Sequence, residues 1–207
     1  MTMRLPRRRV LSILAAATAL PLLPRGAHAA MEPYRWQGVV LGAEADLTLY
    51  AADRGAAAGA LDAALTECAR LEAIFSLYQP DSAICRLNRA GRLDGAPFEL
   101  LELMSIALAL AGASSGRFDP TIQPLWQLYA DHFAAPDADP AGPDGAVLAR
   151  VLRHIDHRGV HMEADAIAFD RPGMQVTLNG IAQGYISDRV GALLKAQGFT
   201  HTLVNLG

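Results

Sequence analysis

The sequence predicts an α+β fold, bordering on an irregular α/β one, and three observations carry that reading. Long segments repeat their apolar residues at spacings of three and four, shorter segments alternate them, and the two kinds follow one another without a strict βαβ period. The 207 residues are 52% hydrophobic and 19% charged, which suits one domain or two small ones with a core able to fold unaided. That composition excludes a disordered chain, and two cysteines are too few for a disulfide-stapled mini-protein.

Residues 1–29 read as an export signal. Arg7-Arg8-Arg9 precedes the apolar run Val10 to Leu23 and the small-x-small triplet Ala27-His28-Ala29, with cleavage expected after Ala29. The arginine pair before Val10-Leu11 resembles a twin-arginine signal, whose cargo crosses already folded; a general secretory signal is the plainer alternative. The run is short and broken by Pro21 and Pro24, so no stable membrane span is expected after cleavage, and the mature protein is expected in the periplasm. Five of the 18 basic residues lie in the first thirty positions with no acid among them, leaving 13 basic against 21 acidic residues. Such an acidic body excludes nucleic acid as a partner, because phosphate binding needs a cationic face.

Trp36 to Tyr50 is predicted extended, ending in the alternation Ala45-Asp46-Leu47-Thr48-Leu49. Asp53 caps a helix whose apolar residues Leu61, Ala64, Leu65, Cys68, Leu71, Ile74 and Phe75 lie on one stripe. On that stripe the Cys68 thiol serves as a small hydrophobe, and no bridge to Cys85 is expected. Ser82 opens a short helical turn through Leu87, and Pro97 to Ala113 forms a second long helix ended by Ser114-Ser115-Gly116. Pro136 to Gly145 is an exposed loop, and a helix follows over Ala146 to His154. Strands are predicted at Gly159–Met162, Ala166–Asp170 and Gln175–Leu178, then a helix over Ala182 to Gln197 and a buried strand at Thr202–Asn205. The chain stops at Leu206-Gly207 directly after that strand, with no capping element, which predicts a fragment.

Four segments invite a chemical reading. Gly112 to Gly116 matches the hydrolase pattern G-x-S-x-G, but a helix precedes its serine where a nucleophile elbow needs a strand, so it reads as a helix C-terminus. His154, His157 and His161 cannot share one helical face through Gly159 and read as exposed loop histidines rather than zinc ligands. Asn179 to Tyr185 joins a predicted strand to a helix with glycines four apart, a junction whose free N–H groups suit a phosphate, although the same spacing serves close packing. Arg117, Phe118 and Asp119, before Pro120, could offer a cation, an aromatic face and a carboxylate to a flat polar ligand; otherwise Asp119 caps the turn.

Taken in order, Phe75-Ser76-Leu77-Tyr78 with Ser82, Leu87-Asn88, Ser115 to Thr121 with Pro124-Leu125-Trp126, Leu178 to Tyr185 with Asp188, and Leu203 to Gly207 resemble the ApbE family of FAD:protein FMN transferases. The Leu178–Tyr185 form is similar to the branch associated with nitrous oxide reductase maturation. The resemblance implies an ApbE-like fold of mixed sheets flanked by helices. It further implies that residues 30–207 are the N-terminal two thirds of the transferase domain. The implied activity is Mg²⁺-dependent transfer of FMN from FAD to a threonine hydroxyl of a partner, a subunit of a membrane redox complex, with release of AMP. Some relatives hydrolyse FAD to FMN and AMP instead, and a purely structural exported domain is a third possibility. The family's flavin contacts fall on Leu41, Tyr78, Arg117, Phe118, Asp119, Thr177 and Gln183, and a backbone oxygen for the metal falls on Gly180. Leu41 stands where many members have methionine, and Thr177 and Gln183 stand where others have Asp and a charged Lys or Glu. The family's metal-binding Asp and Thr are expected beyond Gly207.

Overall fold

A computed structural model describes residues 31–206 of the protein; the expected signal lies outside them. The extended segment expected over 36–50 is two strands, β1 (Glu32–Val40) and β2 (Ala43–Ala51), paired antiparallel with Trp36 opposite Leu47. Leu41 and Gly42 make the turn at φ of 51° and 80°. The left-handed region is unfavourable for leucine, and this one is held by its buried side chain and by its N–H, which donates to the Glu72 carboxylate. The other edge of β2 pairs with β6 (Thr202–Asn205), giving the order β1-β2-β6.

Helix α1 (Arg54–Phe75) covers this sheet. The Asp53 side chain accepts from the N–H groups of Gly55 and Ala56, fixing its start as the sequence predicts. Its buried face is Ala57, Ala60, Ala64, Cys68, Leu71, Ile74 and Phe75, while β2 turns Ala45, Leu47, Leu49 and Ala51 inward. The alanines let backbones come close, and each large side chain buried here contributes about 1.5–3 kcal/mol. Burial also pushes the Cys68 thiol up to about 11, and both cysteines are free thiols.

Helix α2 (Ala83–Ala90) follows the Ser82 cap, and α3 (Phe98–Ala113) buries Leu100, Leu103, Met104, Ala107 and Ala111. A second antiparallel sheet has the order β3 (Arg92–Asp94), β5 (Ala166–Phe169), β4 (Val160–Met162). Only β3 was not anticipated, since three residues are too short to display an alternation. Two further helices are α4 (Gln123–Ala134) and α5 (Gly145–Leu152). Helix α4 is missing from the sequence-based prediction because it buries only Gln123 and shows no inward apolar stripe.

Gln175–Leu178 is not a strand. Met174, Val176 and Leu178 point inward as a strand's would, but the backbone is paired by other means. The Asn88 side chain donates to the Val176 carbonyl (2.8 Å) and accepts from its N–H (2.7 Å), and the Thr177 N–H donates to the Pro120 carbonyl. An amide side chain thus substitutes for a neighbouring strand. Helix α6 (Asn179–Ala196) starts three residues earlier than expected and packs Ala182, Ile186, Val190 and Leu194 into the core.

Polar contacts tie α1, α3 and α6 at their exposed edge. Arg70 bridges Glu67 (2.8 Å) and Glu99 (2.7 Å), and Arg189 lies 3.9 Å from Glu99. Tyr185 donates to Glu102, and its ring meets Phe75 edge to face at 5.6 Å. Burial, together with that bond, pushes the Tyr185 hydroxyl up to about 12.

Candidate functional site

The segment between α1 and α2 is shaped by two buried serines. Ser82 Oγ donates to the Ser76 carbonyl (2.7 Å) and accepts the Cys85 N–H, while Ser76 Oγ accepts the Tyr78 N–H (3.2 Å). These bonds fix the backbone of Leu77-Tyr78 and leave the Tyr78 ring 63% exposed. Gly42 lies against that ring: a Cβ there would sit 2.7 Å from Tyr78 Cε2. The hairpin turn and Tyr78 therefore form one wall.

The start of α4 lines the same cleft with Gln123, Trp126 and Gln127. The floor is Thr177, Asn179 and Gly180, at the start of α6, and the open cleft holds about 260 Å³. That is below the about 300–1,000 Å³ of a site that encloses a drug-sized ligand, so a dinucleotide would fill it only in part.

Helix α6 has no side-chain cap at Leu178 and no acidic residue in its first turn. The Asn179 N–H donates to Thr177 Oγ1 (3.2 Å) and the Ile181 N–H to the Leu178 carbonyl, so in this first turn the Gly180 N–H and the positive helix end are what the cleft can offer an anion. A methyl group at Gly180 would reach only ordinary contact with Phe118 Cε2, at 3.6 Å, which places Phe118 beside the start of α6. Two exposed aromatic faces, Tyr78 and Trp126, supply flat apolar surface beside that anion site.

The expected site residues fall into three groups. Tyr78, Thr177 and Gly180 line the cleft. Phe118 flanks Gly180, Gln183 lies one helical turn beyond Asn179 on the same face, and Leu41 is buried in the turn whose Gly42 abuts Tyr78. Arg117 is exposed and does not line the cleft.

Asp119 opens on a different recess, with Ser115, Gly116, Asp156, His157 and Arg158. Its Oδ1 accepts from Thr121 N (2.8 Å) and Thr121 Oγ1 (2.6 Å), and its Oδ2 accepts the His157 N–H (3.1 Å) and lies 3.3 Å from His157 Nδ1. Nearby, Arg158 beside Asp156 holds that carboxyl down at about 2.

Gln123, Trp126, Gln127 and Asn179 are cleft residues absent from the expected site set. The Pro124-Leu125-Trp126 and Asn179-Gly180 motifs were the available signals for two of them. The histidines also differ from expectation. Only His161 is exposed; His157 is half-buried against Asp119, and His154 has a buried Nδ1 with no partner among the described residues. Ser115 sits at φ 54° after the end of α3, as a helix C-terminus and not a nucleophile elbow.

The sequence model of the ApbE family matches residues 41–207. A protein of Treponema pallidum named FAD:protein FMN transferase is 29% identical over 197 residues, covering 88% of this chain and 52% of its own length. One of the same name from Salmonella typhimurium is 28% identical, over 65% of this chain and 39% of its own. This chain thus spans about half the length of the first relative and less of the second. The fold is similar to that of a flavin transferase ApbE from Vibrio cholerae, at a TM-score of 0.72 and 24% identity, covering 86% of this chain and 58% of that one.

Proposed function

The chain belongs to the ApbE family, and from that premise we propose that the protein transfers FMN from FAD to a threonine hydroxyl of a partner protein, releasing AMP. The observation that carries the proposal is that the positive start of α6, at Asn179 and Gly180, lines one cleft with the exposed rings of Tyr78 and Trp126. A flat ring system and a diphosphate are what those surfaces suit. Tyr78 and Phe118 would pack against the flavin, Thr177, Gly180 and Gln183 would border its phosphate, and Leu41 would back the wall. In this reading Arg117 contacts a part of FAD outside the cleft, and Asp119 acts by holding the loop that carries Phe118. The phosphoester forms as the threonine oxygen displaces AMP at the FMN phosphorus, a step that depends on alignment and electrostatics.

Mg²⁺ is the family's metal, and the cleft lining offers amide and hydroxyl oxygens but no carboxylate. No cluster of three or more His, Cys, Asp or Glu exists among the described residues. This donor set does not fit Mg²⁺, which prefers carboxylates. The same lining lacks a base for a threonine or a water nucleophile, and that favours a second reading, FAD binding without transfer; hydrolysis of FAD to FMN and AMP is the other alternative. We place the protein in the periplasm, acting on a subunit of a membrane redox complex. Among the described residues no helix is long and apolar enough to cross a membrane.

The test is mass spectrometry of a threonine-containing acceptor domain incubated with the protein, FAD and Mg²⁺. An FMN adduct on the threonine supports transfer. FMN and AMP without an adduct would select hydrolysis, and intact FAD with no flavin bound would reject all three readings.

A further inference from the structure

An apolar stripe leaves the cleft along α4. Trp126, Tyr129 and Phe133, three and four residues apart, lie on one face and are 54%, 38% and 54% exposed. Ile122, one turn before Trp126, continues the stripe at 37% exposure. From Trp126, on the cleft wall, to Phe133 the stripe runs about 10 Å at 1.5 Å per residue. Tyr129 and Phe133 are in ring contact at 6.2 Å, and the loop after α4 returns to place Gly142 beside Tyr129.

The loop that follows α4 is acidic, and the nearest basic residue along the chain after it is Arg150, at the far end of α5, which packs on α4. Pro120 to Ala149 contains Asp131, Asp137, Asp139 and Asp144 and no lysine or arginine. All four carboxylates are exposed, and none is in an ion pair among the described residues. Asp137 and Asp139 follow directly on the C-terminal end of α4, whose dipole adds further negative potential beside Phe133.

We propose that this stripe docks a segment of the FMN-accepting protein, apolar where it crosses Trp126, Tyr129 and Phe133 and basic where it meets the acidic loop. The proposal rests on the transfer reading above, because only a protein substrate needs to be guided into the cleft along its outer wall. Two aromatic anchors outside the cleft hold the acceptor in register, and the unpaired aspartates select its charge.

The test is binding of fluorescein-labelled peptides to the purified protein without FAD, read by anisotropy. One peptide carries an amphipathic Leu/Phe segment followed by a lysine run, and the second replaces the lysines with glutamates. The lysine peptide is expected to bind, to weaken as salt rises, and to bind about tenfold more weakly to Phe133→Ser. The glutamate peptide is expected to bind more weakly than the lysine one. No binding of the lysine peptide, equal binding of both, or an unaltered Phe133→Ser would overturn the proposal. So would a dimer in light scattering that Phe133→Ser dissociates, since the occupant would then be a second copy. An FAD titration of the same samples separates this outcome from failure of the transfer reading: flavin binding with an indifferent stripe sinks the docking site alone.

Discussion

Both carboxylate oxygens of Asp119 are taken by the protein itself. Removing them in Asp119→Ala leaves Thr121, which is fully buried, and the His157 N–H without their acceptor. The expected cost is about 1–3 kcal/mol, read as a melting temperature lower by about 2–4 °C for each kcal/mol. A mutant that melts like the wild type would show that these bonds do not hold the loop. Tyr78 has the opposite character, since its ring is mostly exposed and contributes little to the core. Tyr78→Ala is therefore expected to melt like the wild type while weakening FAD binding about tenfold, and Tyr78→Phe to bind as the wild type does. Titration with flavin fluorescence checks both.

Two elements carry predictions of their own. The hairpin turn cannot accept a side chain at Gly42, where a positive φ and the Tyr78 ring combine. Gly42→Ala is expected to destabilise by about 1–3 kcal/mol and to displace the Tyr78 ring. A denaturant melt together with flavin affinity reads both effects. At the junction of α3 and α6, Tyr185 favours its neutral form in the fold, so its contribution is complete below pH 10 and is lost as pH rises through about 12. Tyr185→Phe is expected to flatten the loss of stability over that window; an unchanged alkaline slope would assign the loss to other groups.

On the scale of the molecule, the twin-arginine reading predicts that lysine at both Arg8 and Arg9 retains the precursor inside the cell, while a general secretory signal would tolerate the exchange. Fractionation for the mature protein in the periplasm distinguishes them. How much of the molecule could be read in advance depended on whether the deciding interactions were local. The Asp53 and Ser82 caps, the inward stripe of α1 and the glycine-rich start of α6 follow from neighbours along the chain, and with them the α+β class and the family resemblance. Helix α4 escaped because its apolar residues face outward, and Gln175–Leu178 misled because its alternation is genuine while its hydrogen-bond partners are a distant asparagine side chain and the Pro120 carbonyl. Only the tertiary structure could turn Asp119 toward His157, in a recess apart from the cleft, and bring Trp126 and Tyr78 to one cleft. Sequence periodicity reports which face of an element is apolar; which residues meet across a cleft is settled by how separate elements pack.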